Sequence, residues 1–433
     1  MRKKIERTII EIIAKAHLRI FGHPIGPEMK IFLGNLFWSF LGGVVASAVA
    51  LVINILAGRL LGPQEFGKYS LALVIGEYLL IVFYLGLDTA SLRAVAKSRN
   101  ENEIKWNISS ASYFVLTSMV VFSTLALTFS KTLANIFSTT PGVVFVAVFL
   151  AIATGIKLLF NGFIQGTHQF KHQFIGKIVE AVIIIISFST IFFYLHRYTY
   201  SSYVAVIVLG AAAIIITFFL KLKKYFRNFH KPTLLAQFSY GKLFLLSTAL
   251  GTIFASVDKL AINRFLDVSQ LGIYMAYYLV SIGLISQISQ MFNNVFIPTI
   301  AKSLNKAIFG KLERLIYLAV VPLTVLIIAI VYVAMIFFGK KYSVVPNLAI
   351  SFGIFATLKL LLSTYNSIII TLSKSIYKNY IIKYNIINVF TVLAYIPLVV
   401  THTLSIQTIL IIQIFNTFVL ILIQKSLIKS TVR

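Results

Sequence analysis

Charged side chains interrupt several of the long apolar runs in this sequence, and two lysines stand out among them. Lys157 and Lys359 each lie near the middle of such a run, at similar places in the two halves of the chain. A charge at the centre of a membrane helix costs about 2.5–3.5 kcal/mol on insertion scales, so it needs a physical reason. A lysine ammonium binds phosphate as a point charge that tolerates changes of geometry. We therefore predict that both lysines line a cationic cavity for a phosphate-bearing headgroup. The alternatives are snorkelling or pairing with a carboxylate.

Three acidic residues are embedded in the same way: Glu77, Glu180 and Asp258. Each is a candidate to carry the H⁺ or Na⁺ that drives a transport cycle; alternatively, these acids neutralise nearby lysines. Asp258 is followed directly by Lys259, a further candidate for the cationic cavity. Neighbouring residues on a helix point about 100° apart, so we expect these two side chains not to face each other.

A stretch that follows the first apolar run returns in the second half of the chain at a constant offset of 205 residues. An arginine, a glycine and a tyrosine recur, as Arg59, Gly67 and Tyr69 and then as Arg264, Gly272 and Tyr274. The arginines fall at the ends of apolar runs, where they either contact a substrate or snorkel and cap helix carbonyls. The glycines and tyrosines are expected to shape the connection and to anchor the next helix at the interface. A repeat of this kind is typical of a carrier with two similar lobes.

Several kinds of chemistry have no residues to support them. The chain has no cysteine, which excludes disulfides, thiolates and Cys-ligated metals. No segment fits the phosphate-binding loop G-x-x-x-x-G-K-[ST], and His168 and His172 share a helical face without a third metal ligand. We therefore expect no cofactor or metal, apart from Na⁺ or H⁺ as a coupling ion. The energy source would be an ion gradient, the membrane potential or consumption of the product.

The elements that position these residues are membrane helices. Of the 433 residues, 59% are hydrophobic and 12% are charged, whereas an average soluble domain has roughly 25% charged residues. A span needs roughly 20 apolar residues, and twelve such runs predict an all-α polytopic membrane protein. The runs lie near 35–58, 69–90, 107–129, 143–163, 174–195, 202–220, 242–263, 273–297, 315–338, 346–371, 380–400 and 404–424.

The basic residues indicate how these helices are oriented. The formal net charge is +27, and most lysines and arginines fall at the two termini and in alternate loops. Such a bias marks the cytoplasmic side, so we expect a multi-pass protein of the cell membrane with both termini in the cytoplasm. Nucleic-acid binding is excluded because no soluble domain remains to present a basic face.

Six spans in each half divide the chain into two parallel six-helix lobes joined by a basic linker. The N-terminal segment has apolar residues on one helical face, which predicts an interfacial amphipathic helix; a disordered basic tail is the alternative. The predicted parts are a cytoplasmic N-terminal segment at 1–34, an N-lobe at 35–220, a linker at 221–241, a C-lobe at 242–424 and a cytoplasmic tail at 425–433.

The first copy of the repeat, Arg59-x-Leu-Gly-Pro-x-x-Phe-Gly-x-Tyr69, resembles the first motif of the polysaccharide flippases of the Wzx type. Asp258, the Gly272-x-Tyr274 pair and Pro298 at the end of the eighth span resemble their second-half motif. The resemblance covers essentially residues 35 to 424 and extends to the MATE-like superfamily. It implies a V-shaped pair of six-helix lobes around a central cavity. It also implies alternating access that moves a polyprenyl-diphosphate-linked oligosaccharide from the inner to the outer leaflet, for cell-surface glycan assembly.

The same resemblance implies the partners: the bilayer, an anionic lipid-linked oligosaccharide and polymerase or ligase proteins of the glycan pathway. Two other functions stay open at this point. A MATE-like exporter of cationic drugs needs acidic residues in its cavity to bind its substrate. Here the lysines embedded in the apolar runs are at least as many as the embedded acids. A membrane enzyme of the same pathway usually carries a large outer loop, and none is present between the predicted spans.

Overall fold

The computed structural model of the chain describes residues 27–227, 229–289, 306–372 and 374–431, and every regular element in these ranges is a helix. The helices are α1 Pro27–Tyr84, α2 Leu87–Ala96, α3 Glu101–Thr128, α4 Ser130–Ile136, α5 Pro141–Gly166, α6 Phe170–Phe188, α7 Tyr200–Leu222, α8 Lys231–Phe265, α9 Val268–Tyr278, α10 Lys306–Phe338, α11 Pro346–Thr371, α12 Lys374–Leu393, α13 Tyr395–Val400 and α14 Ile406–Lys429. Short π-helical segments extend α6 and α9, at Ser189–Tyr194 and Leu279–Gly283, and a 3₁₀ turn, Lys223–Tyr225, extends α7.

The longest helix, α1, is two helices joined at a break. Gly62 has φ 78° and ψ 171°, outside the helical region, and Pro63 follows it inside the helix. Glycine adopts a positive φ at little cost, and proline lacks the N–H that would continue the hydrogen-bond ladder. The first two predicted spans, 35–58 and 69–90, lie on either side of this break. The second part of α1 ends at Tyr84, because Leu85 and Gly86 both have positive φ.

Ten helices in the described part of the chain are long and apolar enough to cross a membrane, judged by length and composition. The protein is therefore a multi-pass membrane protein. One of the ten, Leu41–Tyr84, covers two predicted spans, whereas α8, which covers the predicted span at 242–263, is not among them. The predicted span at 273–297 and the segment at 1–34 extend outside the described residues. The number twelve stays a prediction.

The chain divides into two compact units: Ala48–Met275, and Met1–Ser47 together with Ala276–Arg433. In the first unit, α7 packs against α5 and α6, and α2 packs against α5 and α8. An apolar cluster of this unit joins α1, α2, α3, α5, α7 and α8 through fully buried side chains, among them Phe83, Ile108, Phe163 and Phe218. Long apolar helices pack in this way because each is apolar on more than one face.

In the second unit, α11 packs against α10 and α14. A smaller cluster, including Tyr365, Ile368 and Ile428, holds these helices and α12 together. Other apolar side chains of α10, such as Leu318 and Val321, are exposed, as expected for a helix face that contacts lipid. The lobe boundaries predicted at 35–220 and 242–424 stay a prediction.

Candidate functional site

The two copies of the repeated motif meet within the unit Ala48–Met275. A Cβ atom on Gly67 would lie 1.8 Å from the carbonyl oxygen of Val268, and one on Gly272 would lie 1.9 Å from the carbonyl oxygen of Pro63. Val268 is the counterpart of Pro63 at the offset of 205 residues. The contact of Gly67 with Val268 and the contact of Gly272 with Pro63 are therefore equivalent, as they would be if a two-fold axis related the two copies. Only glycine allows two backbones to approach this closely.

The two motif arginines are both exposed. The Arg264 guanidinium donates to the Ser138 hydroxyl, and the neighbouring Asn263 amide donates to the carbonyl of Phe137 at 2.8 Å. These contacts tie the end of α8 to the turn after α4. The structure thus places Arg264 in the last turn of α8, and Arg59 in the turn before the break at Gly62.

Asp258 and Lys259 are almost fully buried, with 4% and 5% of their surface exposed. The Tyr274 hydroxyl donates to the Asp258 carboxylate, and the Lys259 Nζ lies 3.5 Å from Asp258 Oδ1. The expectation that these neighbours do not face each other is therefore wrong. A lysine has four flexible carbons, so its ammonium folds back along α8, where it also donates to the Ala255 carbonyl at 2.6 Å.

The second part of α1 supplies an acid and a phenol to the same region. The Glu77 carboxylate is within electrostatic range of both Lys259 and Asp258. One residue further on, the Tyr78 hydroxyl lies 2.9 Å from the Ser256 hydroxyl of α8. The structure thus brings together two of the predicted ion-coupling acids and one predicted cation. Tyr78 and Ser256 were missed by sequence reasoning, because neither is charged.

Lys157 of α5 and Glu180 of α6 form an ion pair, with Nζ and Oε1 2.9 Å apart. Their side chains are 29% and 14% exposed. Lys177, three residues before Glu180, is within electrostatic range of both partners. Pairing with a carboxylate was one of the alternatives for Lys157, and the structure shows that pair. The same pair agrees with the alternative for Glu180, that it neutralises a nearby lysine.

Lys359 lies on α11, in the unit that contains Ala276–Arg433. Its Nζ is 5.1 Å from the centre of the Phe355 ring, a cation–π distance, and the residue is half-buried. The shared cavity for Lys157 and Lys359 stays a prediction. Pro298, the last residue of the predicted motif set, lies outside the described residues.

A cavity of about 380 Å³ opens between α1, α2, α5 and α8. Two carboxylates, Glu77 and Asp88, line it together with amides and hydroxyls such as Asn161, Gln165 and Thr252. In the described part of the chain no lysine or arginine contributes to its wall. Asp88 Oδ1 is buried there without a hydrogen-bond partner among the described residues. Sequence reasoning missed this arrangement, although an acid in the first turn of α2 was visible.

The fold is similar to that of solved transporters. A multidrug resistance MATE family transporter of the MOP superfamily, in an inward-facing conformation, aligns at 13% identity over 89% of this chain and 95% of its own, with a TM-score of 0.69. An outward-facing structure of such a transporter aligns at 12% identity over 92% and 96%, with a TM-score of 0.62. A MOP superfamily transporter from Pyrococcus furiosus, reported to have a binding pocket of reverse polarity, aligns at 14% identity over 92% and 96%, with a TM-score of 0.56. These likenesses show the fold.

No curated protein matches this chain in sequence. The family of polysaccharide biosynthesis proteins does match it, over residues 32–304. The match includes both copies of the repeated motif and the charged residues from Glu77 to Lys259. It confirms the predicted resemblance to polysaccharide flippases of the MATE-like superfamily. The chain belongs to the family of polysaccharide biosynthesis proteins.

Proposed function

We propose that the protein is a flippase that moves a polyprenyl-diphosphate-linked oligosaccharide from the inner to the outer leaflet by alternating access. The observation that carries the proposal is the combination of a polysaccharide biosynthesis family with a MATE-like transporter fold. A glycan assembled on a lipid at one face of a membrane must cross it before use on the other face. A transporter fold supplies that step without chemical conversion of the cargo.

The charged residues within the helices support an anionic cargo. Two of the three embedded acids form an ion pair with a lysine: Glu180 with Lys157 at 2.9 Å, and Asp258 with Lys259 at 3.5 Å. Acids that are already neutralised offer little net attraction to a cationic drug. The reverse polarity reported for the pocket of the Pyrococcus furiosus transporter supports the idea that this fold accommodates cargoes of different charge.

The ion pair of Lys157 suggests how a cationic site is kept ready. A partly buried charge is stabilised by a partner of opposite charge, and Glu180 supplies that partner while the site is empty. When a diphosphate arrives, the Lys157 ammonium exchanges the carboxylate for a phosphate oxygen. Lys359, beside the Phe355 ring, is proposed as a second cation that binds phosphate. In this proposal Lys259, Arg59 and Arg264 guide the headgroup before and after that contact.

The acid-lined cavity supports a role for a cation in the same cycle. Glu77 and Asp88 face one space of about 380 Å³ without a basic residue in its described wall. Carboxylates of this kind take up H⁺ or Na⁺, so we propose Glu77 as the first coupling candidate, ahead of Asp258 and Glu180. The same cavity favours the second candidate function, an ion-coupled exporter of cationic small molecules.

One experiment separates these functions. The purified protein is reconstituted in liposomes with a fluorescent short-chain polyprenyl-diphosphate oligosaccharide, and its transfer between leaflets is measured by accessibility to an added lectin. We expect transfer by the wild type and a loss of about tenfold or more for Lys359→Ala, because a charged contact to phosphate is removed. Lys340→Ala, at an exposed cation outside the helices, is the matched control.

Two outcomes count against the flippase, and a third counts against its cationic site. Export of a cationic dye without lipid transfer would favour the MATE-like exporter. Chemical conversion of the lipid-linked sugar, seen by mass spectrometry, would favour a membrane enzyme of the pathway. Equal transfer by the wild type and Lys359→Ala would remove the cationic site. A reporter fused after Arg433 tests the proposed cytoplasmic termini, which are the basis for the proposed direction of transport.

A further inference from the structure

A second cavity, of about 260 Å³, lies apart from the buried charges described above. It opens between the end of α2, the start of α3 and the start of α8, a region that the basic residues predict to be cytoplasmic. Neither the proposed translocation path nor the coupling acids use it. Its volume falls just below the roughly 300–1,000 Å³ of pockets for drug-sized ligands, so it suits a single headgroup.

Two cations at the C-terminal end of α2, Arg93 and the capping residue Lys97, line this cavity. Arg93 and Lys97 are four residues apart, the spacing that brings side chains together on a helix. Within the described ranges neither makes an ion pair. The Arg93 guanidinium instead lies 5.1 Å from the centre of the Tyr240 ring, which holds it in place and leaves its charge available. Glu103, the one acid among the described residues of the lining, accepts a hydrogen bond from the backbone N–H of Arg99 at 2.8 Å.

The buried side-chain amide of Gln237, in the wall of the cavity, has an oxygen that accepts no hydrogen bond from the described residues. Gln237 is 3% exposed, and its Nε2 donates to Asn107 Oδ1 at 2.8 Å. Its Oε1 is buried and has no hydrogen-bond partner among the described residues. Asn107 is itself fixed, because its Nδ2 donates to the Ser98 hydroxyl at 3.0 Å. The amide is therefore held rigidly, and its oxygen lacks a donor such as a hydroxyl group.

An aromatic surface completes the cavity. The Trp106 ring stacks on the His230 ring with centroids 4.7 Å apart and planes at 17°. The His230 backbone N–H donates to the Ser110 hydroxyl at 3.0 Å, which fixes His230 just before the start of α8. With one face covered by histidine, Trp106 is held as a flat wall of the cavity. Aromatic residues of this kind are common at the level of lipid headgroups.

We propose that this cavity, lined by Arg93, Lys97, Trp106, Gln237 and Tyr240, binds a lipid headgroup that combines a phosphate with hydroxyl groups. The two cations bind the phosphate, the Gln237 oxygen accepts a hydrogen bond from a hydroxyl, and the aromatic rings contact the carbon skeleton. Two sources have this chemistry: a bilayer phosphatidylglycerol, and the glycosyl diphosphate of the cargo. Only the second source rests on the proposed function.

The full-length protein provides its own reporter, because Trp38 and Trp106 are its two tryptophans. A Trp38→Phe background leaves Trp106 as the single fluorophore. In detergent, this protein is titrated with short-chain phosphatidylglycerol, with phosphatidylcholine of the same chain length, and with a short polyprenyl diphosphate that carries N-acetylglucosamine. We expect a saturable change in Trp106 emission with phosphatidylglycerol or the glycosyl diphosphate, and none with phosphatidylcholine, which has no hydroxyl and carries a cation.

The pocket variant is Arg93→Gln with Lys97→Gln, and we expect it to weaken binding by about tenfold or more. The matched control is Arg99→Gln with Lys223→Gln, which removes the same charge from exposed residues outside the cavity. It should keep affinity within about twofold, since exposed charges at a distance are screened. The charge reversal Lys97→Glu provides a second pocket variant if the first is poorly expressed.

Each outcome is decisive for the site. Binding of phosphatidylglycerol alone assigns the cavity to the bilayer, and binding of the glycosyl diphosphate alone assigns it to the cargo; both support the proposal. Equal binding of phosphatidylcholine, wild-type affinity in both pocket variants, or equal losses in the pocket and control variants would overturn it. Saturable phosphatidylglycerol binding by a protein that moves no lipid-linked oligosaccharide would leave the site standing while the proposed function fails.

Discussion

Tyr69 and Tyr274 occupy equivalent positions in the two copies of the repeat, and both are buried, yet their surroundings differ. The Tyr69 ring packs edge-on against the Tyr203 ring, with centroids 4.7 Å apart. The Tyr203 hydroxyl in turn donates to the Asn54 amide oxygen at 2.8 Å. Tyr274 donates instead to a carboxylate, that of Asp258. The first copy is neutral at this place, whereas the second holds a charge.

The offset of 205 residues also identifies equivalent positions elsewhere in the two copies. Ile53 and Asn54 stand in the first copy where Asp258 and Lys259 stand in the second. The glycine contacts, in contrast, occur in both copies. Features that both copies have are those that bring two helix ends together. Features that one copy has alone are better candidates for binding or coupling, because the scaffold does not need them.

The largest effect is expected at the shared feature. Gly67→Ala and Gly272→Ala would each place a Cβ within 2 Å of a backbone carbonyl oxygen, and a backbone cannot move aside as a side chain can. Overpacking of this severity exceeds the usual cost of about 1–3 kcal/mol. We expect little folded protein from either variant, measured as monodisperse yield by size-exclusion chromatography.

Gly251→Ala is the control for these two variants. No atom lies within 4 Å of a Cβ at this position of α8. Alanine in a helix interior is favoured over glycine by about 0.5–1 kcal/mol, so the melting temperature should stay the same or rise. Normal yield and melting in Gly67→Ala or Gly272→Ala would show that the two copies do not cross as closely as described.

A large effect is also expected when the second copy is made to resemble the first. Asp258→Asn removes the carboxylate and leaves the Lys259 ammonium buried beside a neutral amide, which should cost about 3 kcal/mol of stability. The double variant Asp258→Ile with Lys259→Asn carries the residues of the first copy at both places. It should recover most of that stability, because replacing a whole buried pair is often neutral.

Transport measurements on the same variants show whether Asp258 and Lys259 serve the transport cycle or only stabilise the fold. If the charges of the second copy serve the cycle, the stable double variant should still lose transport in the liposome assay by about tenfold or more. Recovery of both stability and transport would show that the pair is only a satisfied core interaction. Thermal melting and lectin accessibility on the same preparations give the two readouts.

A smaller effect is expected from the ion pair of α5 and α6. Lys157→Ala leaves Glu180 partly buried without its partner, whereas Lys157→Ala with Glu180→Ala removes both charges. The single variant should lose about 1–3 kcal/mol of stability, and the double variant less. If Lys157 contacts the cargo, transport is reduced in both. Normal transport in the double variant would limit Lys157 to neutralising Glu180.

Much of the fold could be predicted from the sequence, because a run of some 20 apolar residues leaves few alternatives to a membrane helix. The break at Gly62 was also visible, in a Gly-Pro pair between two spans. The ion pair of Lys157 with Glu180 could be predicted only as one of several possibilities. These residues lie on different helices, so their distance depends on how α5 packs against α6.

The acidic cavity could not be predicted at all, because four helices build it and Asp88 lies there only after the chain turns at Gly86. The contact between Asp258 and Lys259 was predicted wrongly. Helical spacing gives the direction of Cβ atoms, but a long side chain can return to its neighbour. Sequence periodicity therefore located the charged residues along the helices, and packing decided their partners.

The last pair of variants, which includes the smallest expected effect, compares the two tyrosines themselves. Tyr274→Phe removes the donor to Asp258, and a hydrogen bond to a charged group contributes about 1.5–3 kcal/mol, so both stability and transport should fall. Tyr69→Phe keeps the ring that packs against Tyr203 and should change the stability by about 1 kcal/mol or less, with transport unchanged. Melting temperature and lectin accessibility measure the two effects side by side. Equal losses in the two variants would mean that the hydroxyl groups serve packing in both copies, and that the charge of the second copy has no special role at this position.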